Sequence, residues 1–125
     1  MKRIEAKVAD EYESGTDCTV TLQLKNPGET EICETGTLDE LYTNNWARGG
    51  TEAYNMHICN GVIYWLKPRE NLQFKFLLHS SCIDHMQLVY LRVYFRGGRY
   101  FQWSGKHWFT PSSDWMDFDF EGQLL

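Results

Sequence analysis

Long apolar runs are absent from this sequence. No stretch approaches the roughly 18 consecutive apolar residues that a membrane-spanning helix requires. The residues Met1-Lys2-Arg3 lead directly into a short alternating segment instead of an apolar leader. We therefore expect a soluble chain without a signal peptide, in which Met1 could stand in place of a removed secretion signal.

Basic residues are also few in this chain. Twelve lysines and arginines face 17 aspartates and glutamates, which gives a net charge of −5. A protein that binds nucleic acid non-specifically normally carries a basic face or stripe, so this class of function is excluded and no nucleic-acid partner is expected. The same charge balance weakens any simple attraction to anionic lipid.

The cysteines lack the spacing of a zinc site. The chain has no Cys-x-x-Cys pair and no matching pair of spaced histidines, which a structural zinc would require. An even number suits two disulfides, with three pairings open, and four buried free thiols are the alternative. An extracellular or secreted location is favoured over a peripheral one at a cytoplasmic membrane. The four residues are Cys18, Cys33, Cys59 and Cys82.

A catalytic constellation is missing too. The four histidines are scattered, and no serine, cysteine or carboxylate is spaced with them for nucleophilic or metal chemistry. Asp117, Asp119 and Glu121 alternate along one strand, a pattern more typical of a solvated edge than of an acid-base pair. We therefore expect that the chain is not an enzyme.

Alternation of apolar and polar residues is what the sequence does contain, for example over residues 4–8, 18–24 and 72–78. Aromatic residues make up 15% of the chain, and many alternate with Val, Ile, Leu and Thr, which favours half-buried strands over helices. About eight strands with short turns predict an all-β, two-sheet antiparallel sandwich. A length of 125 residues predicts one domain, 1–125.

Glycine-containing turns predict two hairpins. Asn60-Gly61 joins residues 53–58 to 62–66, because a type I′ turn needs positive φ and Asn-Gly adopts it readily. Gly97-Gly98 joins residues 88–95 to 99–103 in the same way. A last strand is expected to place Met116, Phe118 and Phe120 on one face.

Two loop sequences stand out beside these strands. They are Ser14-Gly15-Thr16-Asp17 and Asn44-Asn45-Trp46-Ala47-Arg48-Gly49, which mix carboxylate, amide and glycine with a large aromatic ring. Such a mixture fits a calcium-assisted contact with a membrane or a partner. If the strands run up and down, both loops reach the same end of the sandwich.

These loops and their flanking strands resemble the PLAT (polycystin, lipoxygenase, alpha-toxin) domain, also called the lipoxygenase homology domain. The resemblance covers nearly the whole chain in order, and it implies an eight-stranded antiparallel sandwich of PLAT type. It also implies a non-catalytic domain that docks enzymes or receptors onto membranes or protein partners, often with calcium. The matching motifs are Gly15-Thr16-Asp17, Leu38-Asp39, the Asn44 to Gly49 loop, Glu52-Ala53-Tyr54, residues 84–93, residues 98–103 and Trp108.

The resemblance further implies a set of calcium ligands. Calcium binds six to eight oxygen atoms from carboxylates, carbonyls and amides. The implied ligands are the carbonyls of Gly15 and Thr16 and the side chains of Asp17, Asn44, Asn45 and Asp84. Asn45, Ala47 and His85 stand where the family commonly has acidic residues, which predicts a weak site. The alternative is that Asp17 and Asn44 hydrogen-bond their own turns.

Aromatic and basic residues are the candidates for contact with a membrane or a partner. Tyr12, Trp46 and Trp108 combine an apolar body with a polar tip, although Trp108 could instead belong to the core. Arg96 and Arg99, with Arg92 and Lys106, surround the Gly97-Gly98 hairpin and could meet phosphate or an acidic partner, or simply be solvated. Trp65, Trp103 and Trp115 are expected to be packing residues.

Three functions follow from these features. The first is membrane or lipid binding through the loops at one end of the sandwich, with calcium as a bridge to lipid phosphate. The second is a protein-interaction module that holds a partner enzyme, receptor or toxin component. The third is a carbohydrate-binding sandwich, in which exposed Trp and Tyr rings stack on sugars. The sequence does not indicate an oligomeric state.

Overall fold

The computed structural model describes residues 3–11, 15–16, 19–27, 32–38, 46–55, 72–78, 85–111 and 114–123. These ranges contain nine strands. The first five are β1 (Arg3–Val8), β2 (Val20–Lys25), β3 (Cys33–Thr37), β4 (Thr51–Asn55) and β5 (Gln73–Leu78). The others are β6 (Met86–Tyr94), β7 (Arg99–Phe109), β8 (Met116–Asp117) and β9 (Phe120–Gln123), with a 3-10 turn at Arg96–Gly98 between β6 and β7.

The strands form two sheets that pack face to face. One sheet has five strands in the order β4-β1-β6-β7-β9, and the other has four in the order β3-β2-β5-β8. Neighbouring strands are antiparallel in each sheet. The prediction of an all-β, two-sheet antiparallel sandwich is therefore confirmed, with nine strands in place of about eight.

The additional strand arises because the last predicted strand is divided. Met116 pairs with Phe74 in the four-stranded sheet, whereas Phe120 pairs with Gln102 in the five-stranded sheet. Phe118 lies at the crossing and is buried in the core, while Phe120 is 52% exposed. The prediction that these three apolar residues share one strand face is therefore wrong, because the chain changes sheets between them.

The core is built from the inward-facing members of the alternating strands. Ile4, Ala6 and Val8 of β1 are fully buried, as their alternation with charged residues predicts. Aromatic rings pack against one another between the two sheets. The ring centroids of Phe74 and Phe118 are 4.7 Å apart, and those of Phe76 and Phe109 are 5.0 Å apart. Each fully buried ring of this size contributes about 1.5–3 kcal/mol to folding.

The predicted Gly97-Gly98 turn is present, and it joins β6 to β7. Gly97 and Gly98 have φ values of 75° and 80°, a conformation that favours glycine. The predicted Asn60-Gly61 hairpin lies outside the described residues, apart from the part of its first segment that belongs to β4. In the described part of the chain, no helix is long and apolar enough to cross a membrane.

Cys33 is the one cysteine that falls within the described ranges. It is buried at the start of β3, and its thiol is not free. Cys18, Cys59 and Cys82 lie outside the described residues, so the pairing of the four cysteines stays a prediction.

The strand directions bring several strand ends together. At one end, β1 finishes next to the starts of β4 and β6, and β7 finishes beside the start of β6. We call this the loop end and define it by residues 9–11, 15–16, 46–50, 85–87 and 106–110. The Gly97-Gly98 turn lies at the opposite end, the hairpin end. The strands that precede and follow the three predicted calcium loops also end or begin at the loop end.

Candidate functional site at the loop end

The first and second loops meet at the loop end, as the strand order predicts. The backbone N–H of Thr16 donates to the carbonyl of Trp46 at 3.0 Å. Gly15 lies so close to this loop that a Cβ atom there would come within 2.8 Å of the Arg48 nitrogen and the Trp46 oxygen. Glycine at 15 is therefore required by the close approach of two backbones.

Trp46 anchors the second loop from inside the protein. Its side chain is 1% exposed, and its indole N–H donates to the carbonyl of Leu38 at 3.1 Å. The ring packs against Tyr54 and Phe76. We predicted Trp46 as a membrane or partner contact, and this is corrected: its φ of 56° turns the chain back on itself and directs the ring into the core.

Glu52 holds this anchor in place. Its buried carboxylate accepts the backbone N–H of Trp46 at 2.6 Å on one oxygen and the hydroxyl of Tyr54 at 2.7 Å on the other. A buried carboxylate is tolerated where hydrogen bonds satisfy its charge. The Glu52-Ala53-Tyr54 motif thus serves to fix the second loop.

Charged side chains at the rim of the loop end are arranged in pairs. Asp10 bonds Arg48 at 3.1 Å, and Lys106 forms an ion pair with Glu11. The Lys7 ammonium donates to the carbonyl of Gly49 at 2.5 Å. Exposed ion pairs contribute at most about 1 kcal/mol each, so these contacts orient the loops more than they stabilise the fold.

Trp108 is the tryptophan that faces outward at this end. Its side chain is 40% exposed, so the alternative that it belongs to the core is wrong. The ring of His85 meets it edge to face, with centroids 4.6 Å apart. Its role in contact with a membrane or partner stays a prediction. Trp103, in contrast, is buried as expected.

The predicted calcium ligands are described only in part. Gly15 and Thr16 lie at the loop end, whereas Asp17, Asn44, Asn45 and Asp84 lie outside the described residues, as does the predicted contact Tyr12. Among the residues that the structure does describe, no three or more His, Cys, Asp or Glu side chains are grouped so that they could hold a metal ion.

The predicted basic group is divided. Lys106 lies at the loop end and not beside the Gly97-Gly98 hairpin as predicted, whereas Arg96 and Arg99 lie elsewhere. Arg99 and Trp108 are nine residues apart on β7, or about 30 Å at the usual strand rise. Arg99 pairs with Glu121 at 2.5 Å near the hairpin end, and Arg96 begins the turn there. The sandwich therefore separates these arginines from the loop end, and the two groups do not form one surface.

Sequence reasoning named Arg92 as a basic candidate but missed the cluster around it on the outer face of the five-stranded sheet. Tyr90, Arg92 and Tyr94 alternate along β6 and point away from the core, and Tyr100 and Gln102 do so on β7. The sequence does contain a signal for this cluster, because the polar side of each alternating run carries tyrosine and arginine instead of lysine and glutamate.

Tyr90 shows the electrostatic character of this face. Burial, followed by its hydrogen bond to Glu5 and the charge of that carboxylate, raises the pKa of Tyr90 to about 12. The hydroxyl donates to Glu5 at 2.7 Å. Tyr90 therefore stays neutral and donates a proton to the hydrogen bond throughout the physiological range.

The fold has a counterpart among solved structures. The alpha toxin from Clostridium absonum superposes on 94% of this chain with a TM-score of 0.62 and 15% sequence identity. This chain has a PLAT-like β-sandwich fold. The match agrees with the sequence resemblance, since alpha-toxin is one of the three proteins that give the PLAT domain its name.

The same comparison limits which properties of the toxin can be assigned to this chain. The chain spans 30% of the length of the toxin, and an identity of 15% shows the fold alone. No protein-family model and no curated protein sequence matches the chain.

Proposed function

We propose that this chain is a non-catalytic, PLAT-like domain that docks onto a membrane surface through its loop end. The observation that carries the proposal is the exposed indole of Trp108, braced by His85 at the end where the first and second loops meet. An indole combines an apolar ring with a polar N–H, which suits the headgroup region of a bilayer.

Charge alone does not bring this domain to an anionic surface. The chain carries a net charge of −5, and Arg48 and Lys106 at the loop end are already paired with acidic residues. Docking therefore depends on insertion of the aromatic ring or on a cation that bridges acidic loops and lipid phosphate.

Calcium is the cation that the loop chemistry suits. Asp17, Asn44, Asn45 and Asp84, with the carbonyls of Gly15 and Thr16, would supply the oxygen atoms that calcium prefers. Gln87 at the loop end has a buried amide oxygen without a hydrogen-bond donor in the described part of the chain, which is a further oxygen of the right chemistry. When bound, calcium would supply positive charge to hold lipid phosphate.

An extracellular location belongs to the same proposal. Disulfides form in oxidising compartments, and extracellular calcium is abundant enough for a site with few carboxylates. The burial of Cys33 and the absence of a free thiol there support this location.

Vesicle co-sedimentation tests membrane docking. Parent protein is mixed with vesicles of phosphatidylcholine alone or with phosphatidylserine, in calcium or in chelator. We expect parent protein in the pellet, and about tenfold weaker binding for Trp108→Ala, since a partly buried indole contributes on the order of 1.4 kcal/mol. Ile32→Ala is the matched control, because Ile32 is 47% exposed but lies at the hairpin end.

Two results would contradict the proposal. If parent protein stays in the supernatant at every lipid composition and calcium level, membrane docking fails and the protein-interaction hypothesis leads. If Trp108→Ala binds as the parent and Ile32→Ala do, in calcium and in chelator alike, docking does not use the Trp108 ring that carries the proposal.

Calorimetric titration with calcium tests the cation separately. We expect weak binding by the parent and none by Asp17→Ala. Glu34→Gln is the control, since Glu34 is an exposed carboxylate on β3 whose partner is the Gln23 amide. Equal heats for the parent and Asp17→Ala would remove Asp17 from the ligand set.

A further inference from the structure

A patterned surface covers the outer face of the five-stranded sheet. The strand register places side chains in rows across it, and we call these residues the Tyr-Arg face. The first row is Asn55, Arg3, Tyr94, Tyr100 and Gly122. The second is Ala53, Glu5, Arg92, Gln102 and Phe120, and the third is Thr51, Lys7, Tyr90 and Ser104.

Arg92 lies at the centre of this face and is held rigidly. Its Nε donates to Oε1 of Gln102 at 2.8 Å, and one terminal nitrogen donates to the hydroxyl of Tyr94 at 3.2 Å. The other terminal nitrogen donates to the same Gln102 oxygen. The guanidinium also lies 4.5 Å from the ring centroid of Tyr100. Its orientation is therefore fixed before any ligand arrives.

The hydrogen-bond partners of Arg92 among the described residues are all neutral. Glu5 is opposite Arg92 in the register, but its carboxylate accepts the Tyr90 hydroxyl and pairs with Arg3 at 3.5 Å. A guanidinium has five N–H donors, and the three bonds leave one N–H on each terminal nitrogen. Such a pair matches the two oxygens of a carboxylate.

Aromatic rings extend from this cation toward β9. Tyr94 and Tyr100 are 5.7 Å apart, and Tyr100 and Phe120 are 5.9 Å apart, which forms a continuous strip of three rings. Gly122 makes room for the strip, because a Cβ atom there would lie 2.2 Å from Cζ of Tyr100. Phe120 is the most exposed large apolar side chain of the described residues, at 52%.

The dimensions favour a slender ligand over a folded partner. Five strands by three rows span roughly 20 Å by 15 Å, well below the about 800 Å² per partner of a standard protein interface. Phenol, guanidinium, amide and hydroxyl groups lie between the rings. Sugars offer the complementary chemistry, with apolar C–H faces for the rings and hydroxyls for the polar groups.

We infer that the Tyr-Arg face binds an oligosaccharide that bears a carboxylate. The carboxylate receives the two remaining N–H groups of Arg92, and neighbouring sugar rings lie on Tyr94, Tyr100 and Phe120. This site is separate from the loop end and does not depend on membrane docking.

A glycan array tests this inference with the whole chain. The array carries glycans with uronic or sialic acid and their neutral counterparts, in which the carboxylate is esterified or absent. We expect binding to acidic members and loss of binding to the neutral counterparts, in calcium and in chelator alike. Bound glycans are then titrated by calorimetry against the variants.

Variants locate the site on the Tyr-Arg face. Arg92→Gln is expected to weaken binding by about 10- to 100-fold. Arg92→Lys is expected to bind almost as weakly as Arg92→Gln, because lysine keeps the positive charge but lacks the paired N–H donors of the guanidinium. Gly122→Ala displaces the flexible end of Tyr100 and is expected to weaken binding about 2- to 10-fold. Lys75→Gln, on the opposite sheet, is the control, and thermal unfolding verifies that each variant folds.

Several outcomes would overturn the inference. One is a folded parent that binds no acidic glycan, and another is a glycan bound equally by the parent and Arg92→Gln. Arg92-dependent binding of a glutamate-rich synthetic peptide or of phosphatidylserine vesicles, without glycan binding, would assign the face to a protein or a lipid instead.

Discussion

The backbone N–H of Trp46 donates a hydrogen bond of 2.6 Å to Oε1 of Glu52, and both residues are buried. The second oxygen of the carboxylate accepts the Tyr54 hydroxyl. One acidic side chain thus ties the second loop to β4 and keeps the Trp46 ring in the core. The shape of the loop end depends on this contact.

Removal of the Glu52 carboxylate should destabilise the fold. In Glu52→Ala, the Trp46 N–H and the Tyr54 hydroxyl lose their acceptor, and we expect a loss of about 1–3 kcal/mol in the free energy of unfolding. Urea unfolding followed by circular dichroism measures it. Tyr54→Phe should lose less stability, because it breaks only the hydrogen bond from the Tyr54 hydroxyl and leaves the bond from the Trp46 N–H in place. A Glu52→Ala midpoint equal to the parent's would show that this carboxylate is not a structural anchor.

A methyl group at position 15 should force the first two loops apart. Gly15→Ala places Cβ 2.8 Å from two backbone atoms, and we expect about 1–3 kcal/mol of destabilisation together with faster hydrogen exchange at the Thr16 amide. Gly36→Ala is the comparison, since only its φ of 72° opposes the substitution there. Faster Thr16 exchange in both variants would mean that the loops respond to global stability alone.

Stability should decrease at high pH because of Tyr90. Its pKa is raised from about 10 to about 12 by burial and by Glu5, so between these values the folded chain keeps a proton that the unfolded chain has lost. This contribution is fully present below pH 10 and is lost as the pH rises through 12. Tyr90→Phe should flatten this decrease in urea unfolding curves. An unchanged slope in that variant would assign the decrease to other groups.

The cysteines should react only after reduction. We expect thiol titration of denatured, unreduced protein to detect no reactive group at Cys33, and Cys33→Ala to lose about 2–5 kcal/mol, as removal of a native disulfide does. Peptide mapping without reduction then identifies the partner among Cys18, Cys59 and Cys82. Four titrated thiols in the denatured chain would favour the alternative of free cysteines and a reducing compartment.

The alternation of the sequence predicted most of the fold, and the exceptions have physical causes. Strands such as β1 and β5 were predictable because each apolar residue on one face has a polar neighbour on the other. The last strand was not, since a change of sheets at Phe118 leaves the alternation of residue types intact. The alternation of side chains indicates that a segment forms a strand, but it does not indicate which of the two sheets that strand joins.

The two tryptophans of the loop end show the same limit. Trp46 lies in a polar loop and was predicted to face outward, whereas Trp108 lies in an aromatic-rich strand and could have belonged to the core. The structure places Trp46 in the core and Trp108 at the surface, with exposures of 1% and 40%. Trp46 adopts a positive φ in the second loop. Trp108 immediately precedes the buried Phe109 on β7, so its ring lies on the other face of that strand.

The sequence by itself determined the class of fold, the turn at Gly97-Gly98 and the meeting of the first two loops, because these follow from local periodicity, glycine conformation and strand order. The tertiary structure alone decided which aromatic rings are exposed and which partners each charged side chain meets. Arg92 on β6 donates to Gln102 on β7, while the carboxylate of Glu5 on β1 accepts the Tyr90 hydroxyl and acts on Arg92 through its charge. Such pairings depend on the register between strands that are distant in the sequence, and the pattern of residue types along the chain does not specify that register.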